Sequence, residues 1–117
     1  VSPLMDVGDL LRTAAATVSE EEQDETKVAA DPYAAREIID AFADVLSERL
    51  NERERQLLPF SGWVITMEQA IRYLTDYLEG DVYYGERYPH HNLYRTRNQL
   101  ALARSMEEVL VDLSELS

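Results

Sequence analysis

Apolar residues recur along this chain at helical spacing, and no stretch shows the strict alternation of a half-buried strand. The clearest run lies over residues 63–78. Trp63, Met67, Ala70, Ile71, Leu74, Tyr77 and Leu78 fall at i, i+4, i+7, i+8, i+11, i+14 and i+15, which is one face of a helix. Gly80 suits the position just past its end, because glycine enters the left-handed region without penalty. Asp6 is placed to cap an earlier helix with Leu10, Leu11, Ala14, Ala15 and Val18 as its stripe. Asp31-Pro32 is a helix start, Asp capping and Pro filling the first turn. That helix is expected to reach about Leu50 on Ala35, Ile38, Ile39, Phe42, Val45 and Leu46. Asn51 with Glu54 predicts a capping box for a short helix over 52–58, ended by Pro59 and followed by a turn at Phe60-Ser61-Gly62. A last helix is predicted from about Asn92 to Leu113, with Leu93, Leu100, Ala103, Met106, Val109, Leu110 and Leu113 as its stripe. The pattern therefore predicts an all-α fold of about five helices in a single domain over 1–117.

The polar segments between these helices differ in kind. Residues 19–30 are acid-rich and lack aromatics, which predicts a mobile, solvated linker. Their spacing is not that of a calcium-binding loop. Residues 81–91 are the opposite: Asp81, Tyr83, Tyr84, Glu86, Arg87, Tyr88, His90 and His91 crowd together. A plain connector needs none of these large side chains, whereas a binding surface uses them, since tyrosine offers a stiff apolar face with one polar tip. The polar face of the central helix carries Arg72, Thr75, Asp76 and Glu79, with Arg72 able to pair with Asp76 one turn on. Adjacent His90 and His91 point to opposite sides of an extended loop, so one metal does not take both, and helix capping is the simpler role. Arg95 and Arg97 stand where the helix macrodipole disfavours positive charge, which suggests pairing with the acidic loop or a partner.

Composition narrows the function classes. Net charge is −12, from 11 basic and 23 acidic residues, which disfavours nucleic acid and anionic membrane as partners. There is no cysteine, and so no disulfide or thiol chemistry. No apolar run is long enough to span a bilayer and no leader segment is visible, so a cytoplasmic location is expected. No glycine-rich phosphate loop and no Ser-His-Asp set can be assembled, and the sole lysine, Lys27, lies in the acidic segment.

The central block carries a resemblance. Arg72-Tyr73-Leu74-Thr75-Asp76-Tyr77-Leu78, Gly80-Asp81, Tyr83-Tyr84, and then Tyr88-Pro89-x-His91-Asn92-Leu93-x-Arg95-x-Arg97-x-Gln99 resemble the C-terminal signature of aminoglycoside-phosphotransferase-like sugar kinases, the N-acetylhexosamine 1-kinase group among them. Weaker agreement in order and spacing runs from Asp6 to Glu107. The resemblance implies the helical C-lobe subdomain of a protein-kinase-like fold, whose helices wall the acceptor pocket. It implies that Arg72 and Tyr83 hold the sugar, with Asp76 and Asp81 completing the substrate-binding candidates. It also implies that Asp6 props the catalytic loop from below by accepting backbone hydrogen bonds. ATP and magnesium are the cofactors implied for a full-length kinase. No catalytic residue or metal ligand is expected in this chain, which begins past the position of the base and the metal-binding aspartate. The expected partners are the sugar acceptor and the rest of the kinase chain. A different reading of the same residues is a free-standing helical module that binds a protein through the tyrosine-rich loop 81–91.

Overall fold

Local chemistry sets most helix boundaries. In the computed structural model, which describes the backbone of residues 3–116 and the side chains of residues 4–109, four α-helices follow one another. They are α1 (Pro3–Ala14), α2 (Pro32–Val45), α3 (Glu52–Leu78) and α4 (His91–Leu116), with a 3-10 turn at Glu25–Lys27. Asp31 caps α2, its carboxylate accepting from the Tyr33 and Ala34 amides at 3.0 and 3.3 Å. The capping box at Asn51 and Glu54 is present in both directions, at 2.8 and 3.1 Å. Gly80, at φ 95°, ends α3 in the left-handed region as its position predicts. Among the described residues there is no strand, only an isolated bridge between Ala16 and Ala30. Nor is any helix among them long and apolar enough to cross a membrane.

Four boundaries differ from expectation. α1 already begins at Pro3, so Asp6 sits exposed in its first turn rather than capping it, and it stops at Ala14, leaving Ala15 and Val18 of its expected stripe beyond its end. α2 stops at Val45, which is solvent-exposed, instead of running on to Leu50. Pro59 does not end a helix, so the fifth helix is absorbed and α3 runs unbroken for 27 residues. An interior proline costs about 3 kcal/mol of helix stability. Tertiary packing outweighs that cost here, because Leu58, Pro59 and Gly62 are all buried.

α3 and α4 form an antiparallel hairpin, closed at one end by loop 79–90. Thr66 meets Met106 halfway along, and the Trp63 indole donates to Glu107 at 3.2 Å. α1 crosses α3 at Gly8, and α2 covers the base. One half of the interior is apolar, built on Val7, Leu11, Ala15, Ala35, Leu58, Leu102 and Met106. The other half, between the end of α3 and the start of α4, is polar: His91, Asn92, Thr96, Asn98, Gln99 and Asp76 are all buried. The Leu110 and Leu113 side chains of the last stripe lie outside the described residues.

The acidic segment is not the free linker its composition suggests. Asn98 on α4 donates to the Ser19 and Glu22 carbonyls at 2.9 and 3.0 Å. Val28 and Ala30 are buried, and the Ala30 amide donates to Ser105 at 2.9 Å. Its carboxylates are used too: Glu20 pairs with Arg12 and Glu21 with Arg95.

Candidate functional site

The site grows out of the end of α3. Asp76, 4 % exposed, points inward rather than lying on the polar outer face as periodicity suggested. One carboxylate oxygen accepts from the Tyr83 amide at 2.8 Å, and the other from the Tyr84 amide and Asn92 Nδ2, each at 3.0 Å. Its backbone carbonyl accepts from the Asp81 amide at 2.7 Å. Asp76 therefore shapes the loop that carries the tyrosines, and its oxygens are already occupied by protein donors. Asp81, at φ 62°, likewise turns inward and accepts from Asn92 Nδ2 at 2.9 Å. Asp76 thus presents no free oxygen to a ligand, and Asp81 has one of its two already engaged.

Arg72 and Tyr83 do come together. They line a groove of about 310 Å³ with Ile71, Thr75, Glu79 and Tyr84, and Asp76 lies at its base. Arg72 turns back to Glu68, not forward to Asp76 as expected. The reason is the burial of Asp76, which leaves Glu68 as the accessible carboxylate one turn away. Tyr83 is 81 % exposed and packs edge-on against Tyr84, with ring centroids 4.8 Å apart. Tyr84 leans in turn on the buried Tyr73 at 4.8 Å, and its hydroxyl accepts from Gln69 at 3.1 Å. The groove thus has an apolar wall of Ile71 and Tyr83 and a polar rim of Arg72, Thr75 and Glu79. A larger hollow of about 580 Å³ lies along the middle of α4, between Arg97, Arg104 and the 3-10 turn, and contains none of these candidates.

Behind the groove runs a polar chain, buried at Asn92 and His91 and reaching the surface at Glu21, that periodicity could not reveal. Asn92 Oδ1 accepts from Arg95 at 2.9 Å, and Arg95 bonds through two nitrogens to Glu21 at 2.9 and 3.1 Å. Arg95 also lies 5.5 Å from the centre of the Tyr73 ring. His91 is fully buried. Its Nδ1 accepts the Arg87 amide at 3.2 Å, which places the ring proton on Nε2, facing the Glu21 carboxylate. His90 turns the other way, its Nδ1 2.7 Å from the Tyr77 hydroxyl, so the two histidines diverge as adjacent loop positions should. The one visible signal for this network was Arg95, an arginine set against the macrodipole and opposite an acidic segment. Arg97, its companion in that argument, stays exposed.

Glu21 yields a pH prediction. Partial burial pushes its carboxyl up, but the hydrogen bonds from His91 and Arg95 outweigh that, and it titrates below the usual carboxylate range. A depressed carboxyl adds stability above its unfolded value and loses it as pH falls through the folded one. We expect Glu21→Gln to cost up to about 1 kcal/mol at pH 7, a value limited by the exposure of the Glu21 side chain. The gap to the unmodified protein should narrow as pH falls through that lowered range. Thermal unfolding of both proteins across pH 3 to 7 checks it; a gap unchanged at low pH refutes the assignment.

Among the described residues, no group of three or more His, Asp or Glu side chains converges. Asp6 is exposed in the first turn of α1. No protein-family model matches the chain.

Proposed function

We propose that this chain is the acceptor-binding helical subdomain of an ATP-dependent sugar kinase, with the Arg72–Tyr83 groove as its share of the acceptor pocket. The observation that carries the reading is the pairing of an arginine fork with an exposed tyrosine face across a groove of about 310 Å³, at the low end for small-molecule sites. Sugars suit such walls. Their hydroxyls take directional hydrogen bonds from a guanidinium, and their C–H faces pack on aromatic rings. Arg72 keeps donors beyond the one engaged by Glu68. Tyr83 is held by its neighbours rather than by its own hydroxyl, which leaves that hydroxyl available. ATP and magnesium would be held by another part of a longer kinase, so this chain alone is not expected to transfer phosphate. The exposed Met5 and Leu10 on α1 offer a face on which that part could pack.

The test is an NMR titration of the chain with N-acetylglucosamine and, separately, with MgATP. The sugar has about fifteen non-hydrogen atoms at about 0.3 kcal/mol each, which predicts millimolar binding. Shifts should centre on Ile71, Arg72, Thr75 and Tyr83 and weaken about tenfold in Arg72→Ala or Tyr83→Ala. MgATP should leave the spectrum unchanged. A saturable micromolar nucleotide site, or sugar shifts indifferent to both substitutions, overturns the reading.

The exposure of Val82 and Tyr83, at 84 and 81 %, also supports the alternative of a protein-binding module acting through loop 81–91. In that case Tyr83→Ala abolishes capture of a protein partner while the sugar gives no shifts.

A further inference from the structure

α3 has a buried face and, apart from it, an apolar one. The inner one, through Leu58, Gly62, Thr66, Tyr73 and Asp76, is buried in the fold. The other lies nearly opposite. It runs from Leu57 through Phe60, Val64, Met67, Ile71 and Leu74 to Leu78, in steps of three and four residues without a break. That is a strict a/d seam over three heptads. Apart from the half-buried Met67, every seam residue is exposed, Val64 to 53 %, Ile71 to 60 % and Leu78 to 75 %. The stripe expected from sequence mixed residues of both faces, setting Ile71, Leu74 and Leu78 beside the buried Ala70. A helix with an apolar face apart from its buried one needs two partners, and the fold supplies one.

We propose that this seam pairs, antiparallel, with the same seam of a second copy of the chain. Two observations select that occupant. First, the molecule carries −12 overall, yet the charged residues of α3 and its C-cap, other than the buried Asp76, nearly cancel: Arg53, Arg55 and Arg72 against Glu52, Glu54, Glu68 and Glu79. Two copies can meet along this helix with far less net repulsion than the whole-molecule charge implies. Second, Arg53 occupies a d position at one end of the seam and Glu79 borders the other, and neither has a charged partner within the copy. A parallel pair sets Arg53 against Arg53. An antiparallel pair with Leu57 opposite Leu74, Phe60 opposite Ile71 and Val64 opposite Met67 brings Arg53 of one copy to Glu79 of the other. In this register Phe60 of the second copy lands beside Ile71, a wall of the groove. The second copy therefore adds an aromatic side chain to the site.

The seam spans about 32 Å and about 10 Å of width, a footprint on the order of 320 Å² per copy before side-chain relief is counted. A standard interface takes about 800 Å² per partner. The dimer is therefore weak and concentration-dependent.

Sedimentation equilibrium from about 10 μM to about 1 mM tests it at the concentrations where weak interfaces populate. The mass should climb from 13.4 kDa towards twice that value. Val64→Glu and Leu74→Glu, both outside the groove, should remain at 13.4 kDa while keeping the helical circular dichroism of the parent. Arg53→Glu should weaken association about tenfold, and Arg53→Glu with Glu79→Arg should restore it. A mass fixed at 13.4 kDa throughout, or association retained in both glutamate variants, overturns the proposal. Loss in Arg53→Glu without rescue overturns the antiparallel register. None of these outcomes depends on the sugar reading.

Discussion

Asp76→Ala should destabilise the protein by about 3–5 kcal/mol, the cost typical of leaving buried polar partners stranded. Three donors converge on this carboxylate: the Tyr83 and Tyr84 amides and Asn92 Nδ2, all within 3.0 Å. Removing it orphans the two amides and relaxes the turn that holds Tyr83 over the groove. Asn92 has other acceptors, at Asp81 and the Gly85 carbonyl, so it suffers less. Asp76→Asn separates the contributions. Its single oxygen can still serve one side, while its NH₂ faces N–H groups on the other, so about half the loss is expected. Urea unfolding gives the totals. Hydrogen exchange at the Tyr83 and Tyr84 amides gives the local effect, which should exceed that at α1. A loss under about 1 kcal/mol in Asp76→Ala would mean that packing alone holds the loop. If the groove binds sugar, that binding should fail together with the loop, although Asp76 has no free oxygen with which to touch the ligand.

That double role explains which parts of the site were legible. Arg72 and Tyr83, named from the resemblance, do line one groove, because both are outward and local: an exposed helix position and the second residue past a Gly-Asp turn. Asp76 and Asp81 were placed with them as ligand contacts because nothing in a one-dimensional pattern distinguishes a carboxylate facing solvent from one facing amides eight residues on. Among the helices, caps were legible at Asp31, Asn51 and Gly80, where side chain or backbone freedom acts within four residues. Pro59 was misread because its local cost is real, and only distant packing reveals that it is overcome. The acidic segment was misread for a related reason. Its composition describes a solvated chain, but Asn98 and Arg95, far away in sequence, join the nearby Arg12 in supplying the bonds that pin it. The central helix was the subtlest case. Two stripes on opposite faces of one helix merge into a single broad stripe when viewed by period alone.

Gly8→Ala should cost about 2 kcal/mol, a net loss even after the gain of about 1 kcal/mol in helix propensity from replacing glycine. Gly8 lies inside α1, where glycine is otherwise unfavourable, and its φ is not in the left-handed region. The explanation is proximity. A Cβ built there falls 2.6 Å from Ile65 Cγ1 and 2.6 Å from the Ser61 carbonyl oxygen of α3. Ile65 can change rotamer, but a helical carbonyl cannot move without carrying its helix. The double variant Gly8→Ala with Ile65→Ala should therefore recover only part of the loss. Gly80→Ala is the contrasting control: at φ 95° with open space around it, it should cost backbone strain of about 1 kcal/mol and shift no packing. Urea titrations of the three variants, read through Trp63 fluorescence, compare these values. Trp63 sits on α3 within two residues of both Ser61 and Ile65, so a displaced crossing should also change its emission in the folded state. Full recovery in the double variant would place the clash on Ile65 alone and would free α1 to approach α3 without glycine. The glycine that follows Asp6-Val7 is thus required by a helix crossing, a reason that holds whatever chemistry the chain takes part in.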